Sequence, residues 1–193
     1  MKKPWKTQKP MQTRKKAQES AVTKPWVADM NLLDLYSACL KNASELLKEA
    51  DLLLSNGHHP RAYFLAFTAF EELGKSQIVA DYFSEMLSKS EFEAAFVNHR
   101  IKTAYINRHV QIPKDIYGNW FIEYDIQSTG QYTKNRNDSL YIKYLPDHTP
   151  QSPDQSISVE STKGIISDAK KYLKTIIETS CFNERIGTKA FTK

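Results

Sequence analysis

The chain has 193 residues, of which 40% are hydrophobic and 25% charged, with a net charge of +5. That describes one soluble domain of ordinary size with enough chain for a real core, and its apolar runs fall far short of a membrane span. Its two cysteines, Cys39 and Cys181, make no metal spacing and no disulfide framework.

The charge is uneven. Residues 1–30 hold eight Lys/Arg and two acids, net +6, which leaves −1 for the rest of the chain. The basic character therefore belongs to the N-terminal arm, residues 1–27, where Pro4, Pro10 and Pro25 stand among lysines and few aliphatics. Such a segment is expected to be flexible, and its lysines suit a phosphate-bearing partner such as RNA. Trp5 and Trp26 are the exceptions, open to docking the arm either on the domain or on a partner. No apolar stretch follows the basic start, so no secretory leader is expected and a cytoplasmic protein is.

The domain proper is expected over residues 28–182. A first helix is predicted from Asp29 to Ser55, where Leu32, Leu33, Tyr36, Cys39, Leu40, Ala43, Leu46, Leu47, Ala50, Leu53 and Leu54 keep the 3-4 spacing. Cys39 falls on its apolar face as a small core residue. Asn56-Gly57 stops this helix, and Pro60 suits the first turn of the next, so the two form an antiparallel hairpin.

The second helix is predicted from Pro60 to about Leu87. It is apolar on both sides, which implies burial on both sides. Phe70-Glu71-Glu72-Leu73-Gly74-Lys75 interrupts it with two carboxylates, a glycine and a lysine. Glu71 and Lys75 stand i,i+4 in the favourable order, worth a few tenths of a kcal/mol in water. Half-buried, each charge costs several kcal/mol to desolvate and must be compensated. The cluster reads either as a structural ion pair or as a polar site at a helix or subunit junction.

A capping box, Ser90 with Glu93, opens a third helix predicted to reach Val110. Its buried stripe is Phe92, Ala95, Phe96, His99, Thr103, Ile106 and Val110, with Lys102 and His109 on the flank. Residues 111–157 form a long irregular insertion. Asp115–Tyr117 and Trp120–Ile122 are expected to make a short helix, Lys134–Asp138 a polar basic turn, and Ser139–Tyr144 a short strand. A last helix is predicted over Val159–Cys181, with Ile165, Ile166, Ala169, Tyr172, Leu173, Ile176 and Ile177 inward; residues 183–193 are expected to fray. The fold class is all-α, a bundle of four to five helices carrying one long insertion.

Three ordered segments resemble the HEPN superfamily and, within it, the AbiV group of phage abortive-infection proteins. They are Arg61–Ala66 leading to Glu71–Lys75, then His99-Arg100-Ile101-Lys102, then Arg136 through Ser139-Leu140-Tyr141-Ile142. The likeness spans about residues 30–180. It implies an HEPN-like helical bundle, often dimeric, that shuts down a phage-infected cell by arresting translation. Many HEPN proteins are metal-independent ribonucleases with sites at a dimer junction, so the implied partners are a second copy, RNA, and a phage-encoded protein as activator or target. The usual signature of Arg, four to six residues, then His is absent; the nearest spacings are Lys102 to His109 and Lys143 to His148.

Metal-free RNA cleavage needs a base for the 2′-hydroxyl, an acid for the leaving oxygen and cations for the developing charge. The candidate catalytic set is His99, Glu71, Lys75, Lys102 and Arg136. Glu72, Arg100 and Tyr141 are candidate substrate-binding residues. No cofactor and no metal are expected, since the histidines and glutamates make no recognised ligand pattern. Against this stand plainer roles: a satisfied core histidine for His99, surface charge for Lys102 and Arg136, strand packing for Tyr141, and a simple turn at His58-His59. The competing function is a non-catalytic helical dimer, joined through the second apolar face of the Pro60–Leu87 helix, that blocks translation by binding a ribosomal or phage protein.

Overall fold

The computed structural model describes residues 30–106, 109–111, 121–123 and 130–181. The expected arm (1–27) and C-terminal tail (183–193), with Asp115–Tyr117, lie outside these. Helices α1 (Met30–Ser55), α2 (His59–Phe83) and α7 (Val159–Cys181) make the bundle. Between α2 and α7 come α3 (Lys89–Val97), α4 (His99–Tyr105), β1 (His109–Gln111), β2 (Phe121–Glu123), α5 (Gly130–Asp138), β3 (Lys143–Tyr144), β4 (Pro150–Gln151) and α6 (Pro153–Ser156). The strands form two short antiparallel pairs, β1 with β2 and β3 with β4. The architecture is all-α, as the periodicity predicted. No helix of the described residues is long and apolar enough to cross a membrane.

The α1–α2 hairpin forms as expected. Gly57 takes φ +83°, a left-handed conformation open to glycine, and the His58 amide reaches back to the Leu53 carbonyl at 2.8 Å. Alanines let α1, α2 and α7 approach closely: Ala43, Ala50, Ala62, Ala66, Ala69 and Ala169 are fully buried. Leu47, Phe67, Leu73, Ile165 and Ile166 fill the space between them. A smaller core of Ile78, Met86, Leu87, Ala95 and Tyr105 joins the end of α2 to α3 and α4.

Six local expectations are corrected. Helix α2 ends at Phe83 rather than Leu87, and Glu85 follows with φ +60°. The capping box that starts α3 is Ser88 with Glu91, not Ser90 with Glu93. The single third helix is two: Asn98 has extended backbone (ψ 112°), and its side-chain oxygen accepts from the amides of Arg100 and Ile101. An asparagine cap has won over continued 3-4 spacing. In the insertion, Lys134–Asp138 belongs to helix α5 instead of a turn, Phe121–Ile122 is strand instead of helix, and only Lys143 and Tyr144 of the expected strand are paired.

The second apolar face of α2 is covered by α3, α4 and α5 of the same chain. Phe64, Lys75 and Tyr82 of that face stay partly exposed.

Candidate functional site

Glu71 is the centre. It sits mid-way along α2, and only 7% of its side chain is exposed. Its Oε1 accepts from Nδ1 of His99 at 2.8 Å, and its Oε2 faces Nζ of Lys102 at 3.7 Å. His99 and Lys102 stand i,i+3 in α4, on the side of that helix turned to α2. Lys102 is buried, with 6% of its side chain exposed, whereas His99 is 52% exposed. The expected place of His99 within a buried stripe is thus corrected. The break at Asn98 starts a new helix and puts His99 in its first turn, one edge against Glu71 and the other toward solvent.

This geometry fixes the imidazole. A carboxylate can only accept, so Nδ1 carries the hydrogen, and in the neutral tautomer this leaves the lone pair on Nε2. Burial pushes the Lys102 ammonium below its ordinary pKa, and Glu71 opposes that shift by favouring the charge.

The expected Glu71–Lys75 pair is not made. Lys75 pairs instead with Glu72, three residues back, and lies over the Phe96 ring at 5.5 Å from its centroid. The reason is packing: α4 occupies both oxygens of Glu71. Glu72, 9% exposed, also accepts from the thiol of Cys39 on α1. Burial first, then the Glu72 charge, pushes that thiol up to about 11, so it stays protonated as a donor. Glu71, Glu72, Lys75, His99 and Lys102 are therefore gathered at one crossing of α2 and α4, with Arg100 exposed beside His99.

Arg136 and Tyr141 lie elsewhere. Arg136 rides on α5 with its guanidinium carbon 5.6 Å from the Phe64 ring centroid and 5.9 Å from that of Phe67. Those rings stand one to two turns before Glu71 on α2. Tyr141, 65% exposed, follows α5 in the loop that the Asp138–Lys143 ion pair closes. Neither is the surface charge or strand packing expected of it: Arg136 is half-buried, and Tyr141 packs in no strand.

Sequence reasoning gave three residues no role in building this site. Gly74 is where the α4 backbone crosses α2, and a Cβ there would lie 1.8 Å from the Lys102 carbonyl oxygen. Its signal was legible, since a glycine inside a helix costs about 1 kcal/mol against alanine and so calls for a packing reason. Asn98 caps α4. Cys39 supports Glu72 from behind. Among the described residues no three His, Cys, Asp or Glu side chains gather as a metal site would need.

No curated protein and no solved structure matches this chain. A family profile does: that of the HEPN group described as AbiV, over residues 31–174. The matched span runs from the start of α1 to the last turns of α7 and holds all eight candidate residues, so the chain belongs to the AbiV family of HEPN proteins.

Proposed function

We propose that this protein serves in abortive-infection defence and arrests translation by cutting RNA at the crossing of α2 and α4, without a metal. Family membership supports the defence role. One observation carries the chemistry: a half-exposed imidazole whose inner nitrogen is held at 2.8 Å by a buried carboxylate.

In the proposed reaction, Nε2 of His99 takes the proton of an RNA 2′-hydroxyl. The 2′-oxygen bonds to phosphorus, the bond from phosphorus to the 5′-oxygen breaks, and that oxygen takes a proton from solvent at the open edge. Glu71 stabilises the imidazolium formed, as a buried carboxylate does for a general base. Arg100 and Lys75 face the developing phosphorane charge. Lys102, behind Glu71, is a positioning residue: it compensates the carboxylate and holds its second oxygen. Glu72 positions Lys75. A second copy of the chain and a phage-encoded activator or target complete the proposed partners.

A second reading has its own support. Tyr141, Ile142 and Tyr144 are 65–72% exposed within four residues, an apolar surface suited to a ribosomal or phage protein. A non-catalytic module of this kind would leave RNA intact.

RNA integrity during translation arrest separates the two, in cells expressing wild type or His99→Ala. Fragmentation by wild type alone is expected. Intact RNA under arrest by wild type would reject the nuclease, and RNA cut equally by both proteins would reject His99 as its base.

A further inference from the structure

Phe64, Phe67, Glu71 and Gly74 stand at i, i+3, i+7 and i+10, so they form one stripe along α2. Arg136 of α5 covers its first two members, and His99 and Lys102 of α4 cover its last two. Helices α5 and α4 therefore follow one another along a single side of α2. At 1.5 Å per residue, Glu71 lies about 6 Å beyond Phe67 and about 10 Å beyond Phe64 along the axis. That distance is comparable with the step between neighbouring phosphates of an extended strand.

Arg136 also differs from the other half-buried or buried cations near the site. Lys75 has Glu72, Lys102 has Glu71 and Lys143 has Asp138. Among the described residues no carboxylate is within ion-pair reach of Arg136, and its Nε is buried without a hydrogen-bond acceptor. Two aromatic faces hold the guanidinium in place, which fixes its plane but does not satisfy its donors. A rigid, under-satisfied guanidinium matches the forked geometry of a phosphate. One turn earlier in α5, Tyr132 stacks on Phe70, with ring centroids 6.1 Å apart and 36% of the residue exposed. It offers a face on which a base of the same strand can stack.

We infer that Arg136 binds the phosphate next to the scissile one in single-stranded RNA, which lies along the α5–α4 side of α2. This assignment rests on the nuclease reading for which phosphate is cut, and on Arg136 alone for the contact. It makes Arg136 a substrate-binding residue and takes it out of the reacting centre.

The test uses the full chain carrying His99→Ala, so that RNA is bound and not cut, and a fluorescent single-stranded RNA oligonucleotide titrated by anisotropy over a salt series. Arg136→Met and Arg136→Gln both remove the charge, and the melting temperature of each shows which is folded. Affinity is expected to fall about 10-fold, the order expected for losing a charge-assisted contact. The slope of log K against log salt is expected to flatten by about 0.7, the share of one phosphate contact on a single strand. Arg136→Lys should restore the slope and only part of the affinity, because lysine keeps the charge and loses the fork. A folded charge-removing variant with unchanged slope and affinity overturns the inference and reduces Arg136 to a clamp for α5, as does a His99→Ala chain that binds no RNA. RNA cut by the chain with His99 intact, together with an unchanged slope, leaves the nuclease reading standing without this contact. RNA held through Arg136 yet never cut by that chain does the reverse.

Discussion

The alpha carbon of Gly74 and the carbonyl of Lys102 touch: a methyl group on Gly74 would come within 1.8 Å of that oxygen and 2.7 Å of its carbon. The atoms it meets are backbone, so no side chain can swing aside. The absent Cβ lets α4 lie against α2, and only that approach brings His99 and Lys102 onto Glu71.

Gly74→Ala sets two effects against each other. Helix propensity favours alanine by about 1 kcal/mol. Overpacking costs about 1–3 kcal/mol, and here the clash is with backbone, so packing wins. Net destabilisation is expected, together with loss of any RNA cleavage, because displacing α4 opens the Glu71–His99 hydrogen bond. Gly164→Ala is the control: it lies in α7 with nothing within 4 Å of a new Cβ and should stabilise by up to about 1 kcal/mol. Paired thermal melts read both. A Gly74→Ala protein as stable and as active as wild type would remove the close crossing from the account.

The buried pair of Glu71 and Lys102 should show strong coupling. Their side chains are 7% and 6% exposed, so removing one partner strands the other's charge. Glu71→Leu is expected to cost about 3–5 kcal/mol, the usual loss on breaking a buried pair. Lys102→Met should cost less, because Glu71 keeps its bond to His99. The double variant should recover most of the loss and can exceed wild type, since apolar side chains often replace a buried pair without cost. Activity should stay lost in the double variant. Denaturant unfolding of the four proteins gives the coupling energy, and additive single effects would mean that the two charges do not sense each other.

Most of the fold was legible because its long helices follow from local pattern. Helix α7 runs over Val159–Cys181 as predicted, and α1 ends at Ser55 as predicted, since a 3-4 stripe held for more than twenty residues leaves no competing assignment. Legibility failed where one side chain or one distant contact decided the backbone. Asn98 broke a plausible helix by capping its own successor. Helix α5 contains Asn135, Asn137 and Asp138, poor helix formers, yet it is held from outside. Tyr63 hydrogen-bonds Asn135, and Phe64 and Phe67 carry Arg136. Glu71, His99 and Lys102 were readable by residue type, but their pairing was not, because which carboxylate meets which cation depends on how closely α4 can approach. Gly74 sets that approach.

The two caps that bracket α3 and α4 should separate stability from function. Asn98→Ala removes the acceptor for the Arg100 and Ile101 amides, and Ser88→Ala removes half of the capping box with Glu91. Each should cost about 1 kcal/mol. Only Asn98 directly precedes His99, so only its loss should lower activity beyond what reduced stability explains; Asn98→Asp, which keeps a cap oxygen, should restore it. Equal activity losses for Asn98→Ala and Ser88→Ala at matched stability would show that the cap does not orient the imidazole.

Lys102 should leave its mark on stability at alkaline pH. Burial, opposed by Glu71, holds its folded pKa below the ordinary 10.5. Between the folded and unfolded values the unfolded chain binds more protons, so this residue makes stability rise with pH in that interval. Below the folded value the penalty of burying the charge is present in full. It is relieved as pH climbs through that value toward 10.5. Lys102→Met has no such proton to lose, so wild type should gain on the variant through the alkaline range, by an amount that grows until pH reaches the unfolded pKa. Melting temperatures of both proteins, taken in steps from neutral pH upward, measure the difference. A difference that stays flat, or one that moves in the variant's favour, would mean that the Lys102 charge is no harder to hold inside the fold than in water, and the buried pair would lose its energetic meaning.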